Sequence, residues 1–117
     1  MDAELDPEDA KIITLARSAR ARSGARTGAA VRDSTGRTYA AVEVRLPSLR
    51  LSALEVAVAM AVSSGAEALE AAAIVSAAAE LEEAELAPAR DLRAGLVLLA
   101  APDGSLAARY RAATRSA

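Results

Sequence analysis

The 117-residue chain contains no phenylalanine and no tryptophan, although 53% of it is hydrophobic. No other feature constrains the fold as much. A core without large rings has to be filled by Ala, Val, Leu and Ile, which requires secondary-structure elements packed at close spacing. Tyr39 and Tyr110 are the only aromatic residues, so there is no row of rings on which unpaired bases could stack. The length suits one unit with its own core, and a single domain over residues 1–117 is the expectation.

Two absences bound the chemistry: the chain has no cysteine and no histidine. Disulfides, thiolate ligands and a thiol nucleophile are excluded, and the side chain that ordinarily titrates near neutral pH is missing. A tetrahedral zinc site would have to use carboxylates alone, an uncommon donor set. Neither a metal nor another cofactor is expected. The chain opens with Asp2, Glu4, Asp6, Glu8 and Asp9, the reverse of a basic signal region, and holds no apolar run of membrane length. A cytoplasmic location without membrane contact is expected.

Charge is segregated along the chain. Residues 11–50 hold nine basic groups against Asp33 and Glu43, whereas residues 51–100 hold eight acidic groups against Arg90 and Arg93. One reading of the basic block is an RNA-facing surface. The commoner situation is a solvated face whose arginines meet acids elsewhere in the fold or in a second copy.

Element signals come in a clear order. Asp6–Pro7 reads as a helix start, with Ile12, Leu15, Ala16 and Ala19 following at helical spacing to about Ala21. Gly28 to Arg32 and Thr38 to Val44 read as strands joined by Asp33–Ser34–Thr35–Gly36. Pro47 and Ser48 open a loop, and Leu51 to Ser63 reads as a helix apolar on nearly all sides. Ala72 to Ser76 has the look of a buried parallel strand, and Glu80 to Leu86 that of a helix which Pro88 either ends or restarts. Leu96 to Ala100 is a strand, and Leu106 to Ala112 is an edge strand beyond the Pro102–Asp103–Gly104 turn. The order is α-β-β-α-β-α-β-β.

These residues carry a resemblance. Thr27–Gly28–Ala29–Ala30–Val31, a turn, Gly36 to Val44, and then Leu51–Ser52–Ala53–Leu54–Glu55–Val56–Ala57 resemble the amino-terminal half of small nucleoside cytidine deaminases. Those proteins have a "VGAAL" strand, a "DG" turn and a "GVNVEN" strand leading to a helix that opens with "CAERTA". The resemblance implies an α/β fold, a three-layer α-β-α arrangement around a mixed five-stranded sheet, with the carboxyl-terminal antiparallel hairpin of the nucleoside branch. It also implies a homo-oligomer, a dimer or tetramer.

The family's chemistry, as the resemblance implies it, needs a zinc ion held by three thiolates, or by one imidazole and two thiolates. A neighbouring glutamate shuttles protons while bound hydroxide attacks the pyrimidine. In the matched frame the first ligand position falls on Ser52 and the glutamate on Leu54. The ribose-gripping "NVE" falls on Glu43, Val44 and Arg45. The second motif, "PCGxCR" at the start of the third helix, matches Pro88 to Arg93 or, with a gap, the stretch near Glu80 to Leu86, and neither frame supplies a ligand.

Ser52–Ala53–Leu54–Glu55 has the form of a capping box, and Leu54 would fill a vacated site with hydrocarbon. Glu55 could also be read as a catalytic carboxylate displaced by one position, but one helical step turns it about 100° away. Glu80, Glu82, Glu83 and Glu85 lack a second converging element for a divalent metal. Arg45 and Arg50 flank the loop before the central helix, where they could meet a phosphate, with salt bridges as the default.

The sequence therefore suggests a degenerate, non-catalytic member of this family, a pseudoenzyme acting as a self-assembling interaction or scaffold domain. No deaminase activity is expected, and a protein or RNA is the further partner. The alternative is a module whose remodelled, zinc-free pocket binds a nucleoside or nucleotide through Glu43, Arg45, Ser52 and Glu55. An enzyme using carboxylates alone is the weakest reading, because no pair of acids is placed for it.

Overall fold

Asp6 starts the first helix by accepting a hydrogen bond at 2.8 Å from the Glu8 amide, with Pro7 in the first helical position, where its missing N–H is no loss. The helix, α1 (Pro7–Ser23), carries Glu8 and Asp9 in its first turn and Arg20 and Arg22 in its last, both favourable to the helix dipole. It ends at Gly24, which adopts φ 69°. The structure, a computed structural model, describes residues 5–112. Asp2 and Glu4 of the acidic amino terminus lie outside them.

The remaining elements are β1 (Gly28–Asp33), β2 (Thr38–Val42), β3 (Val44–Leu46), β4 (Leu49–Leu51), α2 (Ala53–Ser63), β5 (Leu69–Val75), α3 (Glu83–Asp91), β6 (Leu96–Ala100) and β7 (Leu106–Arg111). A five-stranded mixed sheet has the order β2-β1-β5-β6-β7, in which only β5 and β6 run parallel. This is the α/β arrangement expected, with helices on both faces of the sheet.

Strand periodicity divides the core. Ala71, Ala73 and Val75 of β5 join Ile12, Ile13 and Ala16 of α1 on one face, with Ala30 and Leu98. Ala72 and Ile74 turn to the other face, among Leu54 and Ala57 of α2 and Leu86 of α3. The alanines set a short distance between the layers. At Gly28, even a Cβ would fall 2.1 Å from the Ala16 carbonyl oxygen, so β1 can pass beneath α1 only without a side chain there.

The structure departs from the sequence reading in four places. Strand β5 starts at Leu69, not Ala72, because its pairing with β1 extends to Asp33, and it ends at Val75. Strand β2 stops at Val42, because the Glu43 side chain turns back to the amides of Arg26 and Thr27. Pro47 and Ser48 do not open a long loop: they join β3 to β4 in a separate two-stranded ribbon, and α2 begins only at Ala53. Finally, α3 starts at Glu83 and contains Pro88. The Leu81 amide is held by the Tyr110 hydroxyl at 2.7 Å, and Glu82 is extended at φ −89°, ψ 160°, which delays the helix. Pro88 is tolerated in a helix that ends three residues later.

No helix among the described residues is long and apolar enough to cross a membrane.

Candidate functional site

Residue types along β5 dictate where the sheet leaves room. Its last residues are apolar and buried, but the next is Ser76, after which the chain turns away to α3. Next to it, β1 begins at Gly28, opposite Val75, with Thr27 just before. An open cleft of about 370 Å³ lies over this end of the sheet. Its walls are the start of α2 at Ser52 and Leu54, the ribbon at Arg45 and Arg50, and the approach to α3 at Leu81 and Glu85.

The first turn of α2 is pinned locally. Ser52 Oγ accepts a hydrogen bond from the Glu55 amide at 3.0 Å, and Glu55 Oε1 accepts one from the Ser52 amide at 2.7 Å. This is the capping box read from the sequence. Glu55 is thereby committed to the backbone and is not among the residues lining the cleft. Leu54, only 2% exposed, packs into the core and forms part of the cleft wall, leaving the cleft open beside it.

Glu43 lines the cleft and also holds its edge. Its Oε2 accepts from the Arg26 amide at 3.0 Å and its Oε1 from the Thr27 amide at 2.9 Å. Burial pushes the Glu43 carboxyl up, but these amides and the positive charge of Arg45 outweigh it, and the pKa lies below its ordinary value.

Arg45 and Arg50 are exposed cross-strand partners in the ribbon, and both line the cleft. The default salt bridges do not form: neither guanidinium makes an ion pair or hydrogen bond among the described residues. Much of the other basic charge is engaged within the fold. Arg32 bridges Asp9 at 2.9 Å and Glu70 at 2.8 Å, Arg17 donates to the Pro102 carbonyl, and Arg20 donates to the Arg26 carbonyl.

Three of the candidate contacts, Glu43, Arg45 and Ser52, are thus brought together on one cleft, while Glu55 supports it from behind. Thr27, Ser76, Leu81 and Glu85 also line the cleft but were not singled out from the sequence as contacts. Glu85 came up only within an acidic cluster, and its Oε2 in fact accepts from the Glu82 amide at 2.8 Å, within its own helix start. Helix α3 starts at Glu83 and leaves Pro88 in mid-helix.

The family model described as "Cytidine deaminase-like" matches residues 5–104, and the chain belongs to that family. Among solved structures it is similar to cytidine deaminase from Burkholderia pseudomallei, with a TM-score of 0.73, 21% identity and coverage of 86% of this chain and 90% of that one. It is also similar to cytidine deaminase from Mycobacterium leprae, with a TM-score of 0.65, 20% identity and coverage of 85% and 92%. No curated protein matches the sequence.

These matches correct the expectation that the chain is not an enzyme. The neighbours are cytidine deaminases, and the chain shares their fold and belongs to a cytidine deaminase-like family, so it cannot be set apart from enzymes. That expectation rested on the absence of thiols and imidazoles. Their absence removes one way of holding a metal and does not decide whether the cleft turns over a substrate. Ser52 and Leu54 stand at the start of α2, and no group of three or more Asp or Glu among the described residues is placed to hold a metal ion. The residues present therefore do not fit the zinc ion that the resemblance implies.

Proposed function

We propose that the chain binds a nucleoside in the cleft between α2, β5 and the ribbon, as a member of the cytidine deaminase class. The position and size of the cleft carry this reading. It lies beyond the carboxyl end of β5, and open α/β sheets commonly hold ligands outside the carboxyl ends of their strands. Its volume of about 370 Å³ falls in the range of small-molecule sites. Ser52 keeps a hydroxyl hydrogen to donate, Glu43 keeps acceptor capacity beyond its two amides, and Arg45 supplies donors. Glu55 holds Ser52 in place.

The test is thermal unfolding of the purified protein with cytidine, uridine and adenosine, with the same samples assayed for ammonia, the product that the neighbours' name makes the first to look for. Ligand at about 100 times its dissociation constant adds roughly 2.7 kcal/mol, a shift on the order of 10 °C for a chain of this size. No shift with any nucleoside at saturating concentration would sink the reading.

Self-assembly is a second reading, favoured by four exposed apolar side chains. Leu46 and Leu49 at the ribbon are 54% and 47% exposed, and Met60 and Val62 on α2 are 41% and 50% exposed. Sedimentation of the wild type should then report a dimer or larger species, which Val62→Glu weakens. A monomer at all concentrations would exclude it.

A further inference from the structure

Arg45 opposite Arg50 is the only like-charged cross-strand pair in the strand registers of the described residues. Directly opposed side chains share a face of the ribbon with Cβ atoms about 5 Å apart, close enough for the charges to repel. Arg32 meets Asp9 and Glu70, and Arg90 meets Glu83, whereas Arg45 and Arg50, like Arg22, Arg26 and Arg37, make no ion pair among the described residues. What sets Arg45 and Arg50 apart is that they face each other and both line the cleft. The acid nearest in sequence, Glu43, faces the same cleft and feels the charge of Arg45, but its carboxylate is hydrogen-bonded to the Arg26 and Thr27 amides and makes no ion pair with either arginine.

Two unpaired guanidiniums at one mouth make a concentrated positive site, and the planar fork of arginine matches a phosphate better than any neutral polar group. The amino-terminal end of α2 also lies at the cleft, but the Glu55 carboxylate already caps it, so the positive charge there is that of the two arginines. The carboxylates of Glu43 and Glu85 also line the cleft, but neither forms an ion pair with Arg45 or Arg50, and an uncharged nucleoside would supply none.

We infer that Arg45 and Arg50 form a phosphate subsite at the cleft mouth, so that the ligand of this cleft is a phosphorylated nucleoside. This rests on the nucleoside reading given above and specifies its substrate class. Phosphate oxygens between the two side chains replace their repulsion with two charge-assisted hydrogen-bonding partners.

Calorimetric titration of the full chain with cytidine, cytidine monophosphate and inorganic phosphate tests the inference. The monophosphate should bind at least about tenfold more tightly than cytidine, an advantage that shrinks at high salt. In Arg45→Gln and Arg50→Gln the ratio of the two affinities should fall towards one. Both sites are exposed, and unchanged unfolding temperatures would confirm that the variants fold.

Equal affinity for cytidine and the monophosphate in the wild type would overturn the subsite while leaving the nucleoside reading intact, as would a ratio unchanged in both variants. Inorganic phosphate binding as tightly as the monophosphate would show an anion site with no role for the nucleoside and would overturn the assigned ligand class. Binding by none of the three would overturn both readings.

Discussion

Ser52 and Glu55 exchange hydrogen bonds across the first turn of α2, at 3.0 Å from the Glu55 amide to the Ser52 hydroxyl and 2.7 Å from the Ser52 amide to the Glu55 carboxylate. The pair closes two backbone donors that the helix itself cannot satisfy. Ser52→Ala should cost about 1 kcal/mol of stability. Glu55→Gln, which can still accept from the Ser52 amide, should cost less. Denaturant midpoints of the two variants give the comparison, and equal losses would mean that the serine hydroxyl does not act as the cap.

Gly28→Ala tests the spacing of the layers. The added Cβ would meet the Ala16 carbonyl oxygen at 2.1 Å, and a helix backbone cannot yield as a flexible side-chain end can. The loss should be about 3 kcal/mol, at the upper end for overpacking. Urea unfolding measures it, and a loss below about 1 kcal/mol would show that α1 is free to lift off the sheet.

Acid should destabilise the fold through Asp33. This residue is 2% exposed, and its Oδ1 accepts from the Thr35 amide, the Thr35 hydroxyl and the Arg37 amide at 2.8–2.9 Å. Burial pushes the Asp33 carboxyl up, the hydrogen bonds together outweigh it, and the pKa lies below its ordinary 3.8. A carboxyl with a depressed folded-state pKa contributes stability above its unfolded pKa and loses it as pH falls through the folded value. The loss attributable to Asp33 should therefore set in near pH 4 and continue below it. Asp33→Asn should be less stable at neutral pH, with a shallower fall in unfolding midpoint between about pH 5 and 2. An unchanged slope would assign the acid sensitivity to other groups, Glu43 first among them.

Tyr110→Phe tests the wall of the cleft next to α3. The Tyr110 hydroxyl accepts the Leu81 amide hydrogen at 2.7 Å and so ties β7 to the segment before α3. Without it a mostly buried amide loses its partner, at a cost of about 1 kcal/mol. Amide exchange should accelerate at Leu81 and its neighbours while β6 stays protected. Uniform acceleration across the sheet would mean that the bond stabilises the whole fold and not this wall.

How much of this was legible beforehand varied with the range of the interaction responsible. The start of α1 at Asp6–Pro7, the turn at Asp33 to Gly36 and the cap at Ser52 are written in neighbouring residues, and each is where the sequence placed it. The end of β2 depends on Glu43 reaching back to residues 26 and 27, and the start of α3 depends on Tyr110, 29 positions beyond Leu81. No local signal carries such contacts. The ribbon is a different case. Val44–Arg45–Leu46 and Leu49–Arg50–Leu51 mirror each other about Pro47–Ser48, an alternation too short to stand out but sufficient to have predicted it.

The same limit applied to the site. The resemblance brought Glu43, Arg45 and Ser52 to one place, because its frame runs through the strand and helix that hold them. Thr27 and Ser76 reach the cleft only because β1 and β5 are paired with Gly28 opposite Val75, a register that composition cannot reveal. For Arg45 and Arg50 the sequence offered a phosphate, with salt bridges as the default, and no such bridge forms among the described residues.

The ribbon of β3 and β4 forms a sheet of its own, separate from the five central strands. Its conformation is decided by a two-residue connection and its own cross-strand bonds. Only its ends, at Val44 and Leu51, are half-buried, whereas residues 45–50 are exposed, so exchanging residues around Pro47 would alter the rim of the opening with little repacking beneath. A lineage, or an engineer, could retarget this protein by replacing a hairpin as one changes the bit of a key.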